Sequence, residues 1–106
     1  MGRFVIVAYK PKSGQEPALL AAVEKHARVL RFENLISEQP VHAMRAADGT
    51  IVEVFEWLSA EAIERAHTNP AVQALWAEFG AACEYVSLSS LAECHQLFAE
   101  FEAVTL

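Results

Sequence analysis

Residues 41–58, VHAMRAADGTIVEVFEWL, decide the fold. Two apolar-rich runs, Val41 to Ala47 and Thr50 to Leu58, flank Asp48-Gly49. Asp-Gly between such runs predicts a β-hairpin with a two-residue type I′ loop, because that turn needs positive φ at both central positions. A two-residue loop fixes the register. His42, Met44 and Ala46 would then share a face with Phe55, Glu53 and Ile51, and Ala43 and Arg45 would share the other with Val54 and Val52.

The flanking segments extend the pattern. Upstream, Arg3 to Lys10 (RFVIVAYK) is rich in Val and Ile and reads as a strand, and PKSG (11–14) as a turn. Gln15 to Phe32 reads as a helix with Glu16 and Pro17 in its first turn, an apolar stripe at Leu19, Leu20, Val23, Ala27 and Leu30, and Asn34 at its end. Downstream, Ser59 caps a helix to about Thr68, and Asn69-Pro70 starts another to about Glu84. The stripe of that last helix is Val72, Leu75, Trp76, Phe79 and Cys83. Glu84 to Ser90 reads as a fourth strand. In the tail, Leu91 to Leu106, both helical spacing and strand alternation are present, and the sequence does not choose. The order β-α-β-β-α-β defines an α+β, ferredoxin-like fold: one domain over 1–106, with its core in 3–90 and a C-terminal tail in 91–106.

A sheet with one wet face alternates apolar and polar residues. Here Val5, Val7 and Tyr9 oppose Phe4, Ile6 and Ala8 on the first strand, and Ile51, Phe55 and Trp57 oppose Val52, Val54 and Leu58 on the third. Both faces are apolar, while helices cover only one. The expected cover of the other is a second copy of the chain, giving a homodimer through sheet faces, and the apolar tail is free to cross to that partner. The composition agrees, with 54% apolar residues in a chain of 106.

The net charge is −6, with no basic run, so neither nucleic acid nor an anionic membrane surface is an expected partner. No apolar run reaches the ~18–20 residues a membrane span needs. Met1-Gly2-Arg3 leads straight into the first strand, unlike a signal peptide, so the expected compartment is cytoplasmic, with Cys83 and Cys94 reduced.

Residues 56–76, EWLSAEAIERAHTNPAVQALW, carry a family likeness. A tryptophan ends the third strand (Trp57), a serine caps the next helix (Ser59), Glu61-Ala62 opens that helix, and Asn69-Pro70 breaks it. With the strand order, this resembles the antibiotic-biosynthesis-monooxygenase-like domains of the dimeric α/β-barrel superfamily, over roughly residues 3–90. The resemblance implies dimers whose sheets face each other and a pocket between each sheet and its own helices. Members include cofactor-free oxygenases of polycyclic phenols, haem-degrading oxygenases and isomerases of signalling molecules. At the functional positions of the haem-degrading branch this chain has Val7 or Ala8, Ala66 and Trp76, none of which can serve there. At the histidines of the isomerase-like branch it has Ala66 and Ala71, with His67 one place later, about 100° around a helix.

The candidate catalytic residues are His67, His42 and Glu53. A neutral imidazole beside a pocket can act as a general base toward a phenol or enol. On the two-residue-loop register His42 and Glu53 lie one cross-strand step apart, as an acid–base pair or as interfacial polar groups. Tyr9, Trp57, Trp76 and Phe79 are the candidate ligand-binding residues. His26 is expected at the core edge, and Arg45 and Glu56 as a rim salt bridge. Glu64 and His67 match a single Glu-x-x-His, whereas di-iron sites need two, so no metal and no cofactor are expected. Glycines never cluster into a phosphate loop, and the sole Asp sits in a turn, which removes a Ser-His-Asp triad. Two functions follow: cofactor-free oxidation or isomerisation of a small, flat apolar or phenolic molecule, or non-catalytic binding of such a ligand by a dimeric accessory module.

Overall fold

A computed structural model describes residues 1–106. The strands are β1 (Arg3–Pro11), β2 (His42–Arg45), β3 (Ile51–Trp57), β4 (Cys83–Val86) and β5 (Glu102–Val104), and the helices are α1 (Glu16–Phe32), α2 (Ala60–Thr68) and α3 (Pro70–Ala82). The strands form one antiparallel sheet in the order β4-β1-β3-β2-β5. The first four give the ferredoxin-like arrangement, and β5 adds an edge. No helix is long and apolar enough to cross a membrane.

Local chemistry sets the helix limits. After α1, Asn34 takes a left-handed φ of 57°, its N–H reaches Arg31 O, and the Leu35 N–H reaches Leu30 O at 2.9 Å. This is a Schellman motif, and Leu35 packs in the same core cluster as Leu30. Ser59 Oγ accepts the Ala62 N–H at 3.1 Å to open α2. Asn69 Oδ1 accepts from Ala71 and Val72 to open α3, and its Nδ2 donates to Glu33 at the end of α1. One side chain thus caps a helix and ties it to another.

The helices cover the face that carries Val5, Val7, Tyr9, Ile51, Phe55 and Trp57, packing Leu19, Val23, Leu30, Val72, Leu75 and Phe79 against it.

The hairpin loop is one residue longer than expected. Ala46 N–H bonds Thr50 O and Gly49 N–H bonds Ala46 O, so Ala47, Asp48 and Gly49 form a three-residue loop. Gly49 alone has positive φ (93°), while Asp48 Oδ1 accepts the Thr50 N–H at 2.9 Å. This is a turn followed by a glycine bulge, the second common solution for short hairpins. The extra residue flips β2 relative to β3. Ala43 pairs with Glu53 and Arg45 with Ile51 on the helix side, and His42 pairs with Val54 and Met44 with Val52 on the outer side. His42 and Glu53 therefore lie on opposite faces. The expected Arg45–Glu56 bridge fails likewise, since Glu56 alternates to the outer face and Arg45 bonds Glu16 at 2.8 Å and Glu102 at 2.7 Å.

The fourth strand ends at Val86, short of the expected Ser90, because Ser87 accepts the Ser89 N–H and starts a single-turn helix. The tail then crosses the outer face of its own sheet. Leu91 is buried there with Ala8, Ala46 and Val52, beside Cys94 and Phe101. Glu93 anchors this strap on the Ala47 N–H at 2.7 Å, and the chain ends as β5 on β2. The tail thus covers part of the face assigned to a partner, while Phe4 and Ile6 stay 62% and 51% exposed.

Candidate functional site

A cavity of about 270 Å³ lies between the sheet and the helices. Strand β1 contributes Val5, Val7 and Tyr9, β3 contributes Phe55 and Trp57, α3 contributes Trp76 and Phe79, and β4 contributes Tyr85. His26 of α1 brings an imidazole into this aromatic wall. Its ring stands edge-on to Phe55 and Phe79, with centroids 5.3 and 5.1 Å away.

Behind the wall is a buried polar cluster. Glu53 is fully buried, and its Oε1 accepts the Tyr9 hydroxyl at 2.6 Å. The same oxygen meets His26 Nδ1 at 2.9 Å. On the other side of the ring, Trp76 Nε1 lies 3.5 Å from His26 Nε2. An indole N–H only donates, so Nε2 accepts and the ring proton sits on Nδ1, facing Glu53. The Trp76 contact is long for a hydrogen bond and therefore weak. The Nε2 lone pair thus points to Trp76, which lines the same cavity, and has only that loose donor.

Glu53 Oε2 has no partner. An isolated buried carboxylate is costly unless paired, so this one rests on Tyr9 and His26. Burial, and then the charge of Glu53, hold the Tyr9 phenol far above its ordinary range, so it stays protonated and donates. Tyr9 also stacks on Phe79 at 4.8 Å and meets the Tyr85 ring edge-on at 5.6 Å. Burial raises the Tyr85 phenol too.

The chemistry open to this arrangement is proton transfer. A carboxylate that orients an imidazole and stabilises its protonated form is the supporting half of a catalytic dyad. The aromatic walls suit a flat apolar molecule, and Nε2 suits a proton donor on its edge.

Of the residues singled out in the sequence, the structure brings Tyr9, Trp57, Trp76 and Phe79 to the cavity and places Glu53 behind it. His67 lies outside. It is exposed at the end of α2, and its ring rests edge-on against Trp76 at 5.3 Å. The buried residues of α2 are Ala62 and Ala66, and one further step rotates His67 off that face. His42 is exposed on the outer face. His26, expected only to edge the core, is the histidine that meets Glu53. Its signal was present: it follows Val23 by three and precedes Leu30 by four, the one polar residue on the buried side of α1. Comparisons with family models, with curated proteins and with solved structures returned no match for the chain.

Proposed function

We propose that this chain is a small-molecule enzyme of the antibiotic-biosynthesis-monooxygenase-like kind, in which His26 takes a proton from a flat phenolic or enolic substrate. The observation that carries this reading is the Glu53–His26 pair, in which His26 lines an aromatic cavity and turns Nε2 to Trp76 of the same wall while Nδ1 meets Glu53. Substrate binds between Trp76 and the β1–β3 surface, and its O–H replaces the weak Trp76 donor at Nε2. The proton moves to His26, and Glu53 stabilises the resulting imidazolium across 2.9 Å. The electron-rich anion then has two outcomes. Return of the proton from His26 to a carbon instead of the oxygen gives the keto isomer. Reaction with dioxygen turns a ring C–H into C=O, and the second oxygen atom leaves as water with that hydrogen and the proton returned by His26.

The site residues of this reading are His26 as base, Glu53 as its orienting partner, and Tyr9, Trp57, Trp76 and Phe79 as the binding surface. The reading includes a homodimer. Phe4, Ile6 and the half-buried Val54 form an apolar area that the strap does not cover, and a second copy presents the same area to it. Ile6→Glu should convert a dimer to monomer in sedimentation, and a wild-type monomer at micromolar concentration overturns this part.

Purified protein is incubated with flat electron-rich phenols while oxygen uptake and substrate absorbance are followed. A positioned general base contributes typically about 10²–10⁴-fold in rate. His26→Gln should lose that factor, and His67→Ala should keep the wild-type rate. Ligand-induced stabilisation without turnover would instead identify a binding module. Equal rates for wild type and His26→Gln would remove His26 from the chemistry.

A further inference from the structure

We propose that Tyr9 is a positioning residue for His26 and acts on it through Glu53. The hydrogen bonds allow one proton arrangement. Tyr9 O–H and His26 Nδ1–H converge on a single carboxylate oxygen, at 2.6 and 2.9 Å, and Trp76 N–H closes the chain at Nε2. Tyr9 and Trp76 are donors at the two ends, and Glu53 is the acceptor between. The chain therefore runs Tyr9 to Glu53 from one side and Trp76 to His26 to Glu53 from the other.

Two donors on one oxygen compete for its charge. The Tyr9 contact is short, as charge-assisted O–H···O bonds are. It withdraws charge from the Glu53–His26 bond and fixes the carboxylate plane. Glu53 Oε2 has no donor, so this withdrawal is not shared with a third group. The other groups packed around the imidazole are aromatic: Phe55 from β3 and Phe79 and Trp76 from α3, none of which ionises. Tyr85 from β4 reaches the ring of Tyr9 rather than Glu53. Glu53 is the one carboxylate that His26 contacts, and Tyr9 is the side chain placed to tune it.

The inference rests on His26 being the base, but its measurement needs no substrate. Full-length protein labelled with 15N-histidine is observed by proton NMR at neutral pH. The buried Nδ1–H of His26 should give a downfield, slowly exchanging resonance that His26→Gln removes. Tyr9→Phe keeps the stack on Phe79 and deletes only the hydroxyl. The resonance should move further downfield, because Glu53 then gives its charge to one donor. Tyr85→Phe should leave it in place. Should Tyr9→Phe fail to fold, 3-fluorotyrosine is incorporated in the Tyr85→Phe background, so that only Tyr9 carries it. That more acidic phenol donates more strongly and should move the resonance upfield. A resonance unmoved by either change at Tyr9 overturns the proposal. A resonance that moves as expected in a protein without turnover leaves Tyr9 as the tuning group and removes the enzymatic reading alone.

Discussion

Removing His26 strands a charge, and that gives the network a measurable energetic signature. In His26→Phe the new ring fits between Phe55 and Phe79, where the imidazole already stands edge-on. Glu53 remains fully buried and keeps one donor, Tyr9. Breaking a buried pair from one side costs about 3–5 kcal/mol. Glu53→Leu instead removes the charge and leaves two donors unpaired, Tyr9 O–H and His26 Nδ1–H. At about 1–3 kcal/mol for each orphaned group, that costs roughly 2–6 kcal/mol. The double variant has no buried charge and one fully buried orphan, the Tyr9 hydroxyl, while the Trp76 N–H loses only a long, part-buried contact, so its cost falls to about 1–3 kcal/mol plus repacking. Adding Glu53→Leu to His26→Phe should therefore restore stability. The assay is urea denaturation followed by far-UV circular dichroism at fixed protein concentration, with m-values compared. If a single variant is too unstable for baselines, thermal midpoints serve, at about 4–8 °C per kcal/mol for a chain near this size. Costs that add within about 0.5 kcal/mol would refute the reasoning, because residues coupled through one oxygen cannot behave as independent sites.

Three further outcomes follow from single features. Gly49→Ala should cost about 1–2 kcal/mol in chemical denaturation: φ is 93° and an added Cβ meets nothing within 4 Å, so the loss is purely backbone. Asn69→Ala should cost about 1–2 kcal/mol in the same assay, since the side chain caps α3. Its bond to Glu33 is lost as well. Alkaline titration followed at the tyrosinate band should show no normal phenol among the two tyrosines. Tyr9 has a raised folded value, so its contribution to stability is complete below about pH 10, where unfolded tyrosine begins to ionise. That contribution falls as pH rises toward the folded value. Tyr9 should ionise only as the protein unfolds, and a normal native titration of both phenols would contradict the buried contact with Glu53.

Helix limits were legible because single side chains set them: Asn34 after α1, Ser59 before α2 and Asn69-Pro70 before α3. The tail was not legible. Leu91 and Phe101 earn burial only by meeting Ala8, Ala46 and Val52, contacts between segments distant in the chain. Local periodicity is silent on such contacts, and three residues of β5 are too few to show a period. The hairpin was half legible. Asp48-Gly49 marked the turn, but one glycine with positive φ serves a three-residue loop as well as a two-residue one.

That one residue of loop length explains why the acid was found and its partner was not. Alternation along β3 alone puts Glu53 with Ile51, Phe55 and Trp57, whatever the loop does. Which β2 residue lies beside Glu53 depends wholly on the loop. With the longer loop it is Ala43, whose single methyl offers no hydrogen bond. The partner must then come from the layer above, and a lone Glu on an inward apolar face requires one. On α1 the buried side is Leu19, Ala22, Val23, His26 and Leu30, with one polar member. Two polar residues, each alone on an apolar surface, and two surfaces that must pack against each other: the pairing follows from the cost of leaving either unmatched. This is a sharper rule than proximity along a strand, and it selects His26 over both His42 and His67.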